Sequence, residues 1–259
     1  MSTPILYERV GAVAKITLNR PERYNAFNRA MALQLQEVLD ECSTNQDVRA
    51  LYITGAGKAF CSGQDLAEVI DPAGPGMNRI LSEHFNPIVS RLEKIPKPVV
   101  AAVNGVAAGA GANIALGCDI VVAAKSASFI QAFSAIGLIP DSGGTFKLPR
   151  LIGWQKATAL MMLGDKVEAK EAERIGMIYQ WFPDGKFEAA SWAIATRLAE
   201  MPTLALGYTK TALRWSYSHT FGEQLENEDK LQQRAAATAD FKEGVAAFLE
   251  KRTPAFKGT

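Results

Sequence analysis

Two short apolar runs, joined by a segment rich in glycine and alanine, constrain the fold of this chain more than any other feature. Val99–Val103 and Asp119–Ala124 are rich in β-branched residues, and each is typical of a buried strand. Between them the sequence reads NGVAAGAGANIALGC, which predicts a tight turn and then a short helix over Asn113–Leu116. Few side chains obstruct this turn. The unpaired N–H groups at the helix start can therefore approach a ligand oxygen and stabilise negative charge on it.

A single acid follows in the segment IGLIPDSGGT. Asp141 lies between an apolar approach and a Gly143-Gly144 turn that should begin the next helix. A partly buried acid and a set of backbone donors are the minimum needed to move a proton beside a carbonyl group. Two structural alternatives stay open: the glycine turn can serve close packing, and Asp141 can cap the following helix.

A second unit of strand, glycine turn and helix precedes this one. Ala50–Thr54 is the strand, and GAGKAFCSGQDL supplies the turn and the start of a helix. If the two strands are parallel neighbours, both turns lie at the carboxyl edge of one sheet, where α/β folds bind their ligands.

The remaining pattern predicts a core followed by a helical region. A β-hairpin is expected over Ile5–Val10 and Val13–Leu18, an amphipathic helix over Asn28–Cys42, a loop over Asp71–Met77 and a helix over Ser82–Leu92. Later helices are predicted over Gln155–Leu163, Glu168–Ile175, Lys186–Ala199, Thr203–Tyr217, Phe221–Ala239 and Asp240–Leu249, with a strand over Gly176–Phe182. We divide the 259 residues into a core over 1–199 and a C-terminal helical region over 200–259.

Composition excludes several classes of partner. With 28 Lys and Arg against 27 Asp and Glu, the net charge of +1 favours neither nucleic acid nor a membrane surface. Cys42, Cys61 and Cys118 lack CxxC spacing, which predicts reduced thiols and no zinc site. The sequence has no apolar signal core and no apolar run long enough to span a bilayer, so we expect a cytoplasmic protein.

Common catalytic motifs fail on inspection. A dinucleotide fingerprint starting at Gly109 needs glycine where the chain has Ile114, and no phosphate-binding G-x-x-x-x-G-K-[ST] loop occurs. Ser142 has Pro140 two residues before it, where a nucleophile elbow needs glycine. His84 and His219, the two histidines, both fall in predicted helices, which disfavours a histidine triad or a metal cluster.

Three long segments resemble the crotonase, or enoyl-CoA hydratase/isomerase, superfamily: AFCSGQDL, IPKPVVAAVNGVAAGAGANIALGCDI and GLIPDSGGT. The resemblance continues from NRPERYNAF near the start to AFLEKRTPAFKG near the end. It implies an α/β fold, a ββα superhelix core with a C-terminal helical trimerisation subdomain. It also implies an acyl-CoA substrate, no cofactor apart from the coenzyme A of that substrate, no metal, and a homotrimer or dimer of trimers.

The resemblance also implies roles for individual residues. The backbone N–H groups of Gln64 and Ala110 would form an oxyanion hole for the thioester oxygen, and Asp141 would be the catalytic acid and base. Lys251, with Phe248, would reach the coenzyme A of a neighbouring subunit. The substrate-binding residues would be Arg23, Ala26, Phe60, Ser62, Gly63, Asp65, Leu66, Gly109, Asn113, Phe133, Ile139 and Lys251.

Departures from the family pattern indicate the reaction. Hydratases of this family carry two glutamates, at the positions of Asn113 and Phe133, whereas Asp141 stands where they generally have glycine. An isomerase that transfers a proton through a thioester enolate is therefore expected. Burial beside Phe133, Ile136 and Ile139 should raise the pKa of Asp141 into a useful range.

The acyl group is less constrained than the reaction. The chain is most similar to the branch that acts on aromatic ring-epoxide thioesters in phenylacetate breakdown. The alternatives are a Δ3,Δ2-enoyl-CoA isomerase of fatty-acid breakdown and, less favoured, a hydratase. A non-catalytic acyl-CoA-binding or RNA-associated member is disfavoured by the acid in an apolar loop and by the absence of a basic run.

Overall fold

Strands that alternate between two sheets organise the fold. The computed structural model describes residues 3–259. Its strands are β1 (Ile5–Val10), β2 (Val13–Leu18), β3 (Ala50–Gly55), β4 (Ala59–Cys61), β5 (Val99–Val103), β6 (Val106–Ala108), β7 (Ile120–Ala124), β8 (Ser128–Ile130), β9 (Lys166–Glu168) and β10 (Gln180–Phe182). Its helices are α1 (Arg29–Thr44), α2 (Leu66–Ile70), α3 (Gly76–Arg79), α4 (Asn86–Lys94), α5 (Ala110–Leu116), α6 (Gly144–Ile152), α7 (Trp154–Leu163), α8 (Ala169–Arg174), α9 (Asp184–Glu200), α10 (Thr203–Trp215), α11 (Phe221–Ala236) and α12 (Ala239–Glu250).

The larger sheet has the order β1-β2-β3-β5-β7-β10, and the smaller has the order β4-β6-β8-β9. Pairing is parallel except between β1 and β2 and between β8 and β9. The pairs β3–β4, β5–β6 and β7–β8 each place a strand in the larger sheet and the next strand in the smaller one. These repeats confirm the predicted ββα architecture.

This alternation corrects the predicted place of the glycine turns. They follow β4 and β6 in the smaller sheet, not β3 and β5 in the larger one. The chain leaves the larger sheet at two earlier turns, which the Asn104 side chain joins: its Oδ1 accepts from the Gly55 N–H at 3.0 Å and its Nδ2 donates to the Gly57 carbonyl at 3.0 Å. Because β4 and β6 are parallel neighbours, the two glycine turns still emerge side by side.

The core lies around the larger sheet. Every residue of Val99–Val103 is buried, as expected for a parallel strand covered on both faces. Helix α9 packs on β3, β5 and β7, and the hydroxyl groups of Tyr52 and Ser191 are 2.9 Å apart across that interface. Continuous apolar strands thus give the site a rigid support.

A π-helical segment changes the predicted layout of residues 71–94. Ile80–Phe85 forms a π-helix that joins α3 to α4, so the predicted loop is shorter and the predicted helix longer than expected. Pro87 has no N–H to donate to the Glu83 carbonyl, which instead accepts from Gln36 Nε2 at 2.7 Å. This satisfied carbonyl explains how the helix passes the proline without ending.

Other differences concern short elements. The three-residue strands β8 and β9 had no period long enough to be predicted, and the strand expected over Gly176–Phe182 shortens to β10. Among residues 3–259, no helix is both long and apolar enough to cross a membrane.

One guanidinium fastens the C-terminal helices to the larger sheet. Arg49, just before β3, donates to Thr203 Oγ1 at 2.9 Å, to the Met201 carbonyl at 2.6 Å and to the Phe256 carbonyl at 2.8 Å. It therefore joins three points of the chain that are distant in sequence.

A charge cluster makes a second attachment. Asp119, at the start of β7, binds Lys210 at 2.6 Å and Arg214 at 3.1 Å on α10 and accepts from the Val99 N–H at 2.9 Å. The side chains of Lys210 and Asp119 are only 8% and 21% exposed. Burial lowers the pKa of Lys210, against the attraction of Asp119.

Removing Asp119 should therefore destabilise the fold. We expect Asp119→Ala to lower the free energy of unfolding by about 3 kcal/mol, because it leaves a buried ammonium without its counter-ion. Urea unfolding followed by circular dichroism measures this. Asp40→Ala, which removes the exposed partner of Arg91, is the matched control and should cost less than about 1 kcal/mol. Equal losses in both variants would contradict this account.

Candidate active site

The two glycine turns meet through direct backbone contact. At Gly111 a β-carbon would lie 2.4 Å from the Cys61 carbonyl oxygen, so only glycine lets α5 approach β4 this closely. A β-carbon at Gly63 would lie 3.5 Å from the Ala110 amide nitrogen. The segment after β4 and the start of α5 therefore lie against each other.

Two backbone N–H groups in this region lack acceptors. Phe27 pairs with Gln64 as a parallel bridge, in which the Phe27 N–H donates to the Gly63 carbonyl at 2.7 Å and the Asp65 N–H to the Phe27 carbonyl at 2.8 Å. Since successive residues of an extended chain face opposite ways, the Gln64 N–H points away from Phe27. Ala110 is the first residue of α5 and has no intrahelical acceptor. Within residues 3–259 neither N–H donates a hydrogen bond, so both can bind a ligand oxygen.

Asp141 lies beside the first turn of α5. Its backbone carbonyl accepts from Asn113 Nδ2 at 2.9 Å, and Asn113 follows Ala110 by three residues, about 4.5 Å along the helix axis. Its carboxylate accepts from Ser142 Oγ at 2.8 Å. Burial raises the pKa of Asp141 above its usual value, although the Ser142 hydroxyl opposes this. A proton acceptor with a raised pKa therefore lies close to an amide that can bind an oxyanion.

The helix cap expected as an alternative role for Asp141 is not formed. The residue preceding α6 is Gly143, with φ of 75°, and no side chain of residues 3–259 caps this helix. Ser142 also has a positive φ, at 51°. The carboxylate is thus not used for capping.

The side chains predicted to cover Asp141 differ in burial. Phe133 is 5% exposed, and its ring atom Cζ would be 3.8 Å from a β-carbon at Gly109. Ile136 and Ile139 are 53% and 81% exposed, because they lie on a 3₁₀ turn and the loop after it, outside the core. Phe133 therefore forms a wall at the glycine turn, whereas the two isoleucines do not bury Asp141 as expected.

Several of the residues predicted to bind substrate meet along the segment after β4. Ser62 Oγ donates to the Arg23 carbonyl at 3.3 Å, and the Ser62 N–H donates to the Tyr24 carbonyl at 3.0 Å. Arg23 and Ser62 are exposed, and Leu66 is 50% exposed. These residues form an accessible edge next to the Gln64 amide.

An ion pair holds this edge in place. Arg20 donates to Asp65 Oδ2 at 2.9 Å and to the Ala26 carbonyl at 2.5 Å. Asp65 also caps α2, since its Oδ1 accepts from the Ala67 N–H at 3.1 Å. The Asp65 carboxylate thus has two structural partners, and Arg20 is a site residue that the sequence analysis missed.

Three residues predicted to bind substrate or coenzyme A do not belong to this edge. Phe60 is fully buried in the hydrophobic core, where packing explains it. Lys251 ends α12 in a left-handed conformation with φ of 55°, and its ammonium has no hydrogen bond or ion pair within residues 3–259. Phe248 on the same helix is 82% exposed.

The Cys61 thiol and the His84 imidazole are both buried, and burial favours the neutral form of each. Burial raises the pKa of the Cys61 thiol to about 12, so it stays neutral near pH 7. His84 is fully buried, and burial lowers its pKa. No group of three potential metal ligands occurs in the part of the chain that the structure describes.

A cavity with a volume of about 810 Å³ lies away from Asp141. It is between α7, α8 and β10, where Lys156, Leu160, Arg174 and Trp181 are among its lining residues. Unpaired amides and a half-buried acid, not cavity size, therefore locate the candidate site.

Comparison with known proteins decides the family. The family model described as enoyl-CoA hydratase/isomerase matches residues 8–259. The chain belongs to this family. The 1,2-epoxyphenylacetyl-CoA isomerase of Escherichia coli K12 is 47% identical over 249 residues, which cover 95% of both chains. A Rhodobacter capsulatus protein named as a probable enoyl-CoA hydratase is 46% identical, over 98% of both chains. The crystal structure of an enoyl-CoA hydratase from Bacillus anthracis has a TM-score of 0.92 at 33% identity and covers 99% of this chain and 100% of its own.

Membership of the enoyl-CoA hydratase/isomerase family confirms the resemblance seen in the sequence. It supports an enzyme that acts on acyl-CoA thioesters as an isomerase or hydratase. The relatives carry both kinds of name, so the choice between the two reactions depends on the residues of the site.

Burial of the Asp141 carboxylate predicts a pH-dependent effect on stability. Because its pKa is raised, the folded chain binds this proton more tightly than the unfolded chain, and the folded state loses stability as pH rises through the folded pKa. Asp141→Asn should therefore raise Tm at about pH 7.5, and the gain should shrink toward about pH 4. Thermal unfolding over this range is the measurement. Asp47→Asn, in an exposed loop, should show no such trend, and a lower Tm for Asp141→Asn at neutral pH would contradict the prediction.

Proposed function

We propose that this chain is an acyl-CoA isomerase that transfers a proton through a thioester enolate. The observation that carries the proposal is the position of Asp141, a half-buried acid whose backbone carbonyl bonds to Asn113, one turn along α5 from the unpaired Ala110 amide. Asp141 removes a proton from the carbon next to the thioester, and the amides stabilise the negative charge that develops on the thioester oxygen. The protonated Asp141 then returns the proton at another carbon, so the product is an isomer of the substrate.

The residues at the two hydratase glutamate positions favour isomerisation over hydration. Asn113 is 2% exposed, and both polar atoms of its amide already have protein partners. Phe133 presents an apolar ring where the second glutamate would stand. Addition of water needs a group that activates the water molecule, and neither side chain supplies one.

We propose that the substrate is 1,2-epoxyphenylacetyl-CoA, the thioester named for the 47% identical relative. Removal of a proton from the carbon between ring and thioester would accompany cleavage of the C–C bond that the epoxide shares with the six-membered ring. The epoxide oxygen thereby becomes part of a seven-membered oxepin, and the proton would return to a ring carbon. The phenyl wall of Phe133 suits an aromatic acyl group. A Δ3,Δ2-enoyl-CoA isomerase would use the same proton transfer on an aliphatic chain.

Asp141→Asn should abolish isomerisation and leave acyl-CoA binding intact. General acid–base groups typically contribute about 10²–10⁴-fold, so kcat should fall by this factor. Turnover of ring-epoxide and 3-enoyl thioesters is followed by absorbance, deuterium uptake from heavy water by mass spectrometry, and binding by calorimetry. Asp47→Asn is the control and should match the wild type.

Three results would each overturn part of the proposal. Near wild-type turnover or deuterium uptake in Asp141→Asn would remove Asp141 as the base. Rapid water addition to crotonyl-CoA by the wild type would favour a hydratase. Faster turnover of 3-enoyl thioesters than of the ring epoxide would move the substrate assignment to the aliphatic alternative.

We also propose that the chain forms a homotrimer or a dimer of trimers. Exposed apolar side chains support this: Ile139, Phe248 and Trp154 are 81%, 82% and 72% exposed. Light scattering coupled to size-exclusion chromatography should give three or six times the 28.0 kDa chain mass. A monomer across the working concentration range would contradict this prediction.

A further inference from the structure

We propose that Gln131 and Asn113 are positioning residues that hold the Asp141 loop in register with the oxyanion amides. This inference rests on the proposed function, in which Asp141 is the base. The inference is based on two consecutive hydrogen bonds made by side-chain amides, the second of which ends at the Asp141 backbone carbonyl. Gln131 was not among the residues singled out from the sequence.

The chain of bonds runs from the end of β8 to α5 and on to the Asp141 loop. Gln131 Nε2 donates to Asn113 Oδ1 at 2.9 Å, and Asn113 Nδ2 donates to the Asp141 carbonyl at 2.9 Å. Gln131 and Asn113 are 4% and 2% exposed. In a buried site these bonds have little competition from water, so they fix the geometry strongly.

The first bond sets the direction of the second. An asparagine amide can present either its oxygen or its nitrogen to a neighbour. Because Gln131 donates to Oδ1, the Asn113 Nδ2 faces the Asp141 carbonyl. Gln131 therefore acts on Asp141 through Asn113, without touching it.

The Asn113 amide packs directly against the backbone that follows Asp141. A β-carbon at Gly144 would lie 2.2 Å from Asn113 Nδ2, so the amide occupies the space that a side chain at residue 144 would need. The Asp141 loop itself turns through two successive residues of positive φ, Ser142 at 51° and Gly143 at 75°. An external bond at the Asp141 carbonyl compensates for this unfavourable backbone.

The chemical consequence lies in the placement of the carboxylate. Proton transfer requires the acid within hydrogen-bond reach of the carbon-bound proton, and a displacement of about 1 Å can cost about 10²-fold in rate. Asn113 is on the same helix as the Ala110 donor. Its bond to Asp141 therefore ties the base to the oxyanion hole at one end of α5.

Asn113→Asp tests this link while keeping the side-chain shape. The variant still accepts from Gln131, but it places a carboxylate against the Asp141 carbonyl instead of a donor. We expect kcat to fall by about 10- to 100-fold with KM unchanged. The nearby negative charge should also move the acid limb of the kcat profile to higher pH.

Gln131→Glu tests the same chain of bonds one step further away. An ionised glutamate cannot donate to Asn113 Oδ1, so the Asn113 amide loses the partner that orients it. We expect a smaller fall in kcat, again with KM unchanged.

Asn104→Asp is the matched control. It makes the same amide-to-acid change in a side chain that also joins two loops, but away from Asp141. It should lower Tm and leave kcat and its pH profile unchanged. Tm and calorimetric binding of acyl-CoA are measured for every variant.

The outcomes separate this inference from the proposed function. Wild-type kcat and pH profile in Asn113→Asp, or an equal loss of kcat in Asn104→Asp, would overturn the positioning role alone. Full turnover in Asp141→Asn would overturn the proposed base and this inference with it. Should Asn113→Asp fail to fold, the kcat and KM of Gln131→Glu decide in the same way.

Discussion

The contact between Gly111 and Cys61 is the constraint on which the site depends. It brings α5 against β4 at a distance that no side chain at residue 111 would permit. Without it, the amides of Gln64 and Ala110 would belong to separate turns. The parallel pairing of β4 with β6 supplies the framework, and the absent β-carbon supplies the final approach. The paired strands and the absence of a β-carbon at residue 111 thus bring two unpaired amides into one region without any charged side chain.

The proposed role of Asp141 is a compromise between stability and chemistry. Burial raises the pKa of Asp141, which suits the proposed transfer of a proton to and from this group, but it makes the ionised form costly to hold in the fold. Ser142 reduces this cost through its hydroxyl, and Asn113 holds the backbone from the other side. The interactions that hold Asp141 thus leave its carboxylate with one side-chain partner and the capacity to react.

Long segments with a regular pattern of apolar residues made much of the fold predictable. Short elements, and contacts between residues distant in sequence, were not predicted. The hairpin over Ile5–Val10 and Val13–Leu18 was predicted with its observed bounds because the alternation is regular and Gly11 marks the turn. The glycine turns and Asp141 stood out because their composition is unusual. Gln131 gave no such signal, since its partner lies 18 residues away and only the folded chain brings the two together. Strand β8 and the π-helical segment were missed for a similar reason, because three residues show no period and the π-helical segment depends on a distant side-chain donor, Gln36.

The three bonds of Arg49 have a consequence for how the chain comes apart. One planar group joins the edge of a central strand to the loop before α10 and to the segment after α12. Loosening either of those segments would leave the partly buried Arg49 guanidinium without some of its hydrogen-bond acceptors, so separate local openings are penalised. Amide protons of β3 and of the neighbouring C-terminal residues should consequently exchange with solvent through one shared event, and the helical region and the larger sheet behave as a single cooperative unit.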